Sequence, residues 1–224
     1  MDILIDIEYF ASYISYKNVY KSSYVRFEQY ETWQKAAHRN RCLIAGANGT
    51  VGLSVPLDGG RDQRVLVRDI RISGRHRWQA QHWKTIVSCY SRSPWFDHYR
   101  VELEGFYRRN WTFLLDWNLA CFDWSMRALG IQRPAGLTAE WKLDYGPDLL
   151  DVRRVKTDAG MVAGMEEGTG KRMKERGDRE VDEGVTRSSP RYRQVFEERT
   201  GFIPGLSILD LLFCTGPQAI RYIQ

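Results

Sequence analysis

His82 is the side chain best placed by type for proton transfer in this 224-residue sequence. It follows Trp78 by four residues and precedes Ile86 by four. That spacing puts all three on one helical face, and imidazole titrates near neutral pH, as a general base must. The same face also suits a core histidine satisfied by a hydrogen bond. Arg39 and Arg41 flank Asn40 at strand spacing. Two guanidiniums on one side offer planar forks to a carboxylate or to the phosphates of a nucleotide sugar, or they pair with Glu28 or Glu31. Asn40, turned inward, reads as a structural hydrogen-bonder. Glu31 and Lys35 lie four apart, the spacing of an ordinary helical ion pair. Asp210 sits inside Ile208-Leu209-Asp210-Leu211-Leu212-Phe213, where a carboxylate costs free energy unless it is paired. It could orient His82 or an arginine, and Ser207-x-x-Asp210 equally fits reciprocal capping of a helix start.

Other chemistries are disfavoured. Cys89 lies seven residues beyond His82, about 10 Å along a helix and too far for a thiolate–imidazole pair. Cys42 has Arg41 as a basic neighbour that would lower its pKa, but a small buried hydrophobe is the simpler reading of each cysteine. The four cysteines are widely spaced without a Cys-x-x-Cys pair, which argues against a zinc site or a disulfide framework and fits a reducing cytoplasm. There is no P-loop, no Gly-x-Ser-x-Gly elbow and no His-x-x-x-His pair. Arg75-His76-Arg77-Trp78 and Arg108-Arg109-x-Trp111 interleave base with aromatic, as nucleic-acid surfaces do, though both fall in amphipathic helices and read as solvated faces.

The elements that must carry these residues begin with Ile3-Leu4-Ile5-Asp6-Ile7, a short buried strand. Tyr13, Tyr16 and Tyr20 follow at helical spacing, and Tyr24–Tyr30 alternates as a second strand. Strand, helix and strand in that order predict a parallel βαβ start. Between Cys42 and Leu57, Asn48-Gly49 predicts a hairpin turn that pairs Ala47 with Thr50, Ile44 with Leu53 and Cys42 with Val55. Val65–Ile72 reads as a further strand with a bulge. The period then becomes helical: Trp78, His82, Ile86 and Cys89 line one face, Phe96, Tyr99, Leu103 and Phe106 a second, and Leu115, Leu119, Phe122, Met126 and Leu129 a third that stops at Gly130. Residues 146–191 hold no aromatic residue although all eight tryptophans precede Lys142. Within that stretch, 157–189 reads as a flexible insertion, and Leu206–Phe213 as a short apolar helix.

Composition bounds the class. Apolar residues are 43%, charged 27% and aromatic 13%, values that exclude a disordered chain, a collagen and a membrane bundle. No run approaches the ~18 apolar residues of a membrane span, and the acidic start Met1-Asp2-Ile3 is not that of a signal peptide. The net charge is +5, and 25 of the 33 basic residues are arginine, a bias that suits phosphate or carboxylate recognition and equally a GC-rich genome.

An ordered series of motifs resembles the WbqC-like protein family. Tyr9-Phe10 and Ile14-Ser15-Tyr16 resemble its Tyr-Phe-Pro-rich opening, with Ala11-Ser12 where the family has proline. Glu31-x-Trp33-x-Lys35, Arg39-Asn40-Arg41-Cys42 and Gly46-Ala47-Asn48-Gly49 resemble its Arg-Asn-Arg segment and hairpin. Val55-Pro56, Asp69-Ile70-Arg71-Ile72, His82-Trp83, Tyr90 and Ser93-Pro94-Trp95-Phe96 follow, then Asp116, Asn118 and Leu129-Gly130-Ile131. Tyr192-x-Gln194-Val195-Phe196 and Phe202-x-Pro204-x-Leu206-Ser207-Ile208-Leu209-Asp210-Leu211-Leu212-Phe213 resemble its C-terminal signature. The resemblance implies bacterial surface-polysaccharide (O-antigen) biosynthesis, with transfer of a glycine to a sugar as one suggestion.

Together these readings predict a single α/β domain over residues 1–224: a mixed sheet with an N-terminal βαβ unit and a hairpin, then a helical layer. The expected function is a cytoplasmic transferase moving an aminoacyl or acyl group onto a sugar. His82, Asp210 and Glu31 are the catalytic candidates; Arg39, Asn40, Arg41 and Lys35 are the substrate-binding ones, joined by Tyr9 through the resemblance. The expected partners are a sugar or nucleotide sugar and an aminoacyl donor, not nucleic acid. No cofactor follows. The rival reading is a non-catalytic protein binding sugars or nucleotides on exposed aromatic surfaces.

Overall fold

Ile3, Leu4 and Ile5 are almost fully enclosed, as expected of a strand in a parallel sheet covered on both faces. They belong to β1 (Asp2–Ile5). The chain returns through α1 (Tyr13–Lys21), which buries Tyr13, Tyr16 and Val19, to β2 (Val25–Phe27). β1 and β2 are parallel, with Ile3 opposite Val25 and Ile5 opposite Phe27, so the βαβ start is present. The computed structural model describes residues 1–33, 38–60, 64–153 and 191–224. Lys35 and the insertion expected at 157–189 lie outside these residues.

The hairpin comprises β3 (Arg41–Gly46) and β4 (Gly49–Ser54). Its register differs from the expected one: Cys42 pairs with Leu53, Ile44 with Val51 and Gly46 with Gly49. The turn residues are therefore Ala47-Asn48, neither of which has a positive φ, while Gly49 takes φ 114°. Gly49 is thus used as the left-handed residue following the turn and not as half of a two-residue primed turn. The slip moves each partner by two residues, so Cys42, Ile44 and Leu53 still share the apolar face. Arg39 and Asn40, whose strand spacing with Arg41 would extend β3 backward, instead belong to a 3-10 turn, His38–Asn40. The strand expected over 65–72 is also absent. Val67–Asp69 is a 3-10 turn, and isolated bridges, Thr32 to Leu66 and Arg71 to Phe113, replace a ladder.

The helical layer follows the expected periods closely. α2 (Trp78–Tyr90) buries Trp78, His82, Ile86 and Tyr90, with Tyr90 taking the place expected of half-buried Cys89. α3 (Phe96–Tyr107) buries Phe96, Tyr99, Leu103 and Phe106. α4 (Leu114–Leu129) ends on Gly130 at φ 67° and is buried on nearly every side, so it forms the centre of the molecule. Trp117 on α4 meets Tyr9, Phe106, Tyr107, Trp78 and Trp111 in an aromatic core.

Two three-residue strands complete the parallel sheet. β5 (Ala135–Leu137) pairs with β2, and β6 (Leu149–Asp151) pairs with β1. The sheet order is β5-β2-β1-β6, and the hairpin is a separate antiparallel sheet. Near the C-terminus come α5 (Glu197–Thr200) and α6 (Ile208–Thr215), then a 3-10 turn, Gly216–Tyr222. One continuous core joins sheet, hairpin and helices, giving the expected single α/β domain.

Candidate functional site

In an open parallel sheet, ligands enter the crevice at the carboxyl ends of the strands where the strand order reverses. Here β1 leads through α1 to β2 on one side, while β6 returns on the other side of β1. The reversal lies between β1 and β6. The residues that leave those strands are Asp6 and Arg153, and they are joined by Glu8, Glu28, Glu31 and Arg39.

Arg39 is 2% exposed and forms an ion pair with both Asp6 and Glu31. Burial opposes its charge, but the two carboxylates hold its pKa above the ordinary value. Asp6 is raised from the usual carboxylate range, chiefly by burial, with Arg39 pulling the other way. Two residues on, Glu8 points from the same side of the extended segment. Its carboxyl is raised to about 7 by burial and then by the charge of Asp6, with Arg39 opposing. It makes no hydrogen bond or ion pair among the described residues. A cavity with room for about one water molecule lies beside it, lined by Asp6, Glu8, Ala11, Ser15 and Tyr16 among others.

The loop that carries Glu8 is strained and clamped. Phe10 holds φ 41°, the one non-glycine residue with positive φ among those described. An aromatic residue there costs on the order of 1–3 kcal/mol and persists only when its surroundings over-determine it. They do: Phe10 is 1% exposed between Phe106, Trp117 and Trp124. The backbone on either side is bound as well, Tyr9 N–H to the Arg39 carbonyl at 3.2 Å and the Ile208 N–H to the Ala11 carbonyl at 2.9 Å.

Glu28, leaving β2, anchors the opposite wall. It is fully buried and accepts from the Tyr30 N–H at 2.7 Å, Thr138 Oγ1 at 3.0 Å, the Tyr145 hydroxyl at 2.6 Å and Arg153 at 3.1 Å. Arg153 also binds Asp151. Arg39 and Arg153 are therefore already occupied by carboxylates, and among the described residues of the crevice acids outnumber bases. Such a crevice favours a cationic or hydroxyl-bearing ligand over a bare anion.

The residues singled out from sequence do not all meet here. Arg39 and Glu31 do. Arg41 is exposed while Arg39 is enclosed, and residues 38–40 form a 3-10 turn and not a strand, so the strand spacing expected to align the two guanidiniums is absent. Asn40 donates to the Val55 carbonyl at 3.0 Å, closing the base of the hairpin. Tyr9 is fully buried, and its hydroxyl meets His82 Nδ1 at 3.1 Å and the Tyr107 hydroxyl at 2.6 Å. His82 is 6% exposed, and burial lowers its pKa to about 4, against a hydrogen bond to the Ser54 backbone that raises it. A bond that favours the charged ring is one the ring donates, so Nδ1 is left to accept from Tyr9. The expected partners of His82, namely Asn40, an arginine or Asp210, are replaced by a tyrosine and a backbone carbonyl.

Asp210 forms a separate cluster. It is fully buried and accepts from the Tyr90 hydroxyl at 2.7 Å and the Tyr192 hydroxyl at 2.6 Å. Burial raises its pKa, and the two tyrosines and Gln194 oppose the rise. Ser207 caps α6 by accepting from the Leu209 N–H, but the Asp210 carboxyl turns to the tyrosines and closes no reciprocal box. Cys42 is pushed up to about 12 by burial. The basic neighbour does not prevail, and a thiolate there is disfavoured.

Sequence reasoning missed Asp6, Glu8, Glu28 and Arg153. A signal existed for two of them: in Ile5-Asp6-Ile7-Glu8 the acids alternate with buried isoleucines at the carboxyl end of the first strand. The chain belongs to the WbqC-like protein family, whose match covers residues 9–222 of the 224. Neither the curated proteins nor the solved structures contain a match to it.

Proposed function

We propose that this protein is a cytoplasmic transferase of bacterial surface-polysaccharide (O-antigen) assembly, moving an aminoacyl (glycyl) or other acyl group onto an amine or hydroxyl of a sugar. Membership of the WbqC-like family supports the pathway class, which rests on the resemblance and on nothing in the geometry. The observation that carries the chemistry is Glu8, a carboxyl with no hydrogen bond or ion pair among the described residues and a pKa of about 7, in a clamped, strained loop at the reversal point of the sheet. A base whose pKa lies near the working pH maximises the product of its ionised fraction and its driving force for proton uptake.

In the step this allows, the Glu8 carboxylate takes the proton of a sugar hydroxyl, or of a sugar amine whose ammonium form has already released one proton to solvent, as the oxygen or nitrogen attacks the donor's carbonyl carbon. A C–N or C–O bond forms. The bond from that carbon to the donor's carrier breaks, and the carrier leaves with the electron pair and the proton. The acidic crevice attracts the ammonium form of an amino sugar or of an aminoacyl donor. A binder using aromatic platforms fits less well, because Trp141 is the one tryptophan among eight that is exposed.

The reading is tested by thermal shift against a panel of amino sugars, nucleotide sugars and aminoacyl donors. A ligand at 100 times its Kd stabilises the fold by about 2.7 kcal/mol, a rise in Tm of about 5–10 °C for a chain of this size. Stabilisation by an amino sugar or aminoacyl donor that disappears in Glu8→Gln supports it. Stabilisation that is unchanged in Glu8→Gln places the ligand elsewhere and refutes it.

A further inference from the structure

The two basic motifs of the sequence, about thirty residues apart, form one surface. The Ile72 N–H donates to the Thr112 carbonyl and the Leu114 N–H to the Ile70 carbonyl, both at 2.9 Å. Arg71 bridges to Phe113, lying over its ring, and Gln79 Nε2 donates to the Arg109 carbonyl. The turn before α2 is thereby laid against the end of α3. Neither 70–79 nor 105–115 contains an Asp or Glu, while Arg71, Arg75, His76, Arg77, Arg108 and Arg109 are all exposed. Of the acids at the margin, Glu104 pairs with Arg108 and Asp69 with Arg68, which leaves Asp58 and Asp116 as the exposed carboxylates beside the six basic residues.

We infer that this patch is a docking surface for an anionic membrane, with phosphatidylglycerol-type headgroups as its ligands. The charge is complementary, and the guanidinium fork matches phosphate geometry. The basic residues occupy exposed turns and helix ends, and none lines the cavity beside Glu8, so the patch presents a broad field and not an enclosed phosphate site. The aromatics of the same motifs turn inward. Trp78 is 5% exposed and Trp111 packs on Phe106 and Trp117, which leaves no stacking platform of the kind single-stranded nucleic acid uses. The inference is independent of the chemistry assigned to Glu8.

The test is co-sedimentation of the full chain with vesicles of phosphatidylcholine, with and without phosphatidylglycerol. Binding is expected only to the anionic vesicles and falls as added salt shortens the screening length from about 10 Å at 0.1 M to about 3 Å at 1 M. Each basic residue near such a surface contributes about fivefold, so Arg75→Gln/Arg77→Gln/Arg109→Gln weakens partitioning roughly a hundredfold with Tm unchanged. A control with the same loss of charge elsewhere, Arg193→Gln/Arg199→Gln/Arg221→Gln, retains most of the binding. The inference is overturned if the parent chain ignores anionic vesicles, or if both triple variants lose equally. It is also overturned if a single-stranded oligonucleotide occupies the patch more tightly than the vesicles at equal salt, which would make it a nucleic-acid surface.

Discussion

Glu8 and His82 have exchanged the roles their residue types suggest. Histidine is the usual base near neutral pH, yet burial takes His82 down to about 4, while burial and Asp6 bring Glu8 up to about 7. The linkage signs follow. For Glu8 the folded pKa lies above the unfolded one, so its protonated form favours folding below about pH 4.5, and that stability is lost as pH rises through 7. Glu8→Gln is therefore expected to match the parent protein at pH 5 and to exceed it by about 1–3 kcal/mol at pH 8, measured by urea unfolding at the two values. For His82 the folded pKa lies below the unfolded one, so its contribution is present above about pH 6.5 and lost as pH falls toward 4. His82→Phe leaves the Tyr9 hydroxyl without its acceptor and is expected to cost about 1–3 kcal/mol at pH 7.5, with a shallower loss between pH 6.5 and 4 than the parent shows.

Glu28 is the joint between elements. It ties the end of β2 to Thr138 after β5, to Tyr145 in the following loop and to Arg153 after β6. Removing one partner of a buried ion pair leaves the other uncompensated. Asp151 still holds Arg153, so Glu28→Ala is expected at the low end of that range, about 3 kcal/mol, seen as a fall in Tm of about 6–12 °C. At the hairpin, Gly49→Ala is expected to cost about 1 kcal/mol, because Gly49 sits at φ 114°. Elements with a sustained period were legible: α1 to α4 and β1 lie where their apolar spacing puts them. β5 and β6 were not, since three residues carry no periodicity and their pairing is long-range. The segment 65–72 alternates enough to suggest a strand, but its backbone makes only isolated bridges, to Thr32, Leu57 and Phe113, contacts that no local pattern encodes.

At the scale of the whole molecule, the charge is divided between an acid-rich crevice at the carboxyl end of the sheet and a basic patch between α2 and α3. Among the described residues, no helix is long and apolar enough to cross a membrane. The candidate site was half legible. Arg39 and Glu31 were found through local motifs. Asp6, Glu8 and Arg153 become a cluster only once the order β5-β2-β1-β6 brings the ends of β1 and β6 together, and His82 looked catalytic because its partners, Tyr9 and the Ser54 backbone, lie far from it in the sequence. The central claim is that proton transfer belongs to Glu8 at the carboxyl end of the sheet. Its most direct test is single-turnover transfer from an activated glycyl donor to an amino sugar, compared in the parent protein, Glu8→Gln and His82→Gln, each normalised to folded protein. The account predicts that Glu8→Gln loses at least about a hundredfold in rate and that His82→Gln keeps the parent's rate per folded molecule. A Glu8→Gln variant at full rate, with His82→Gln inactive though folded, would contradict it.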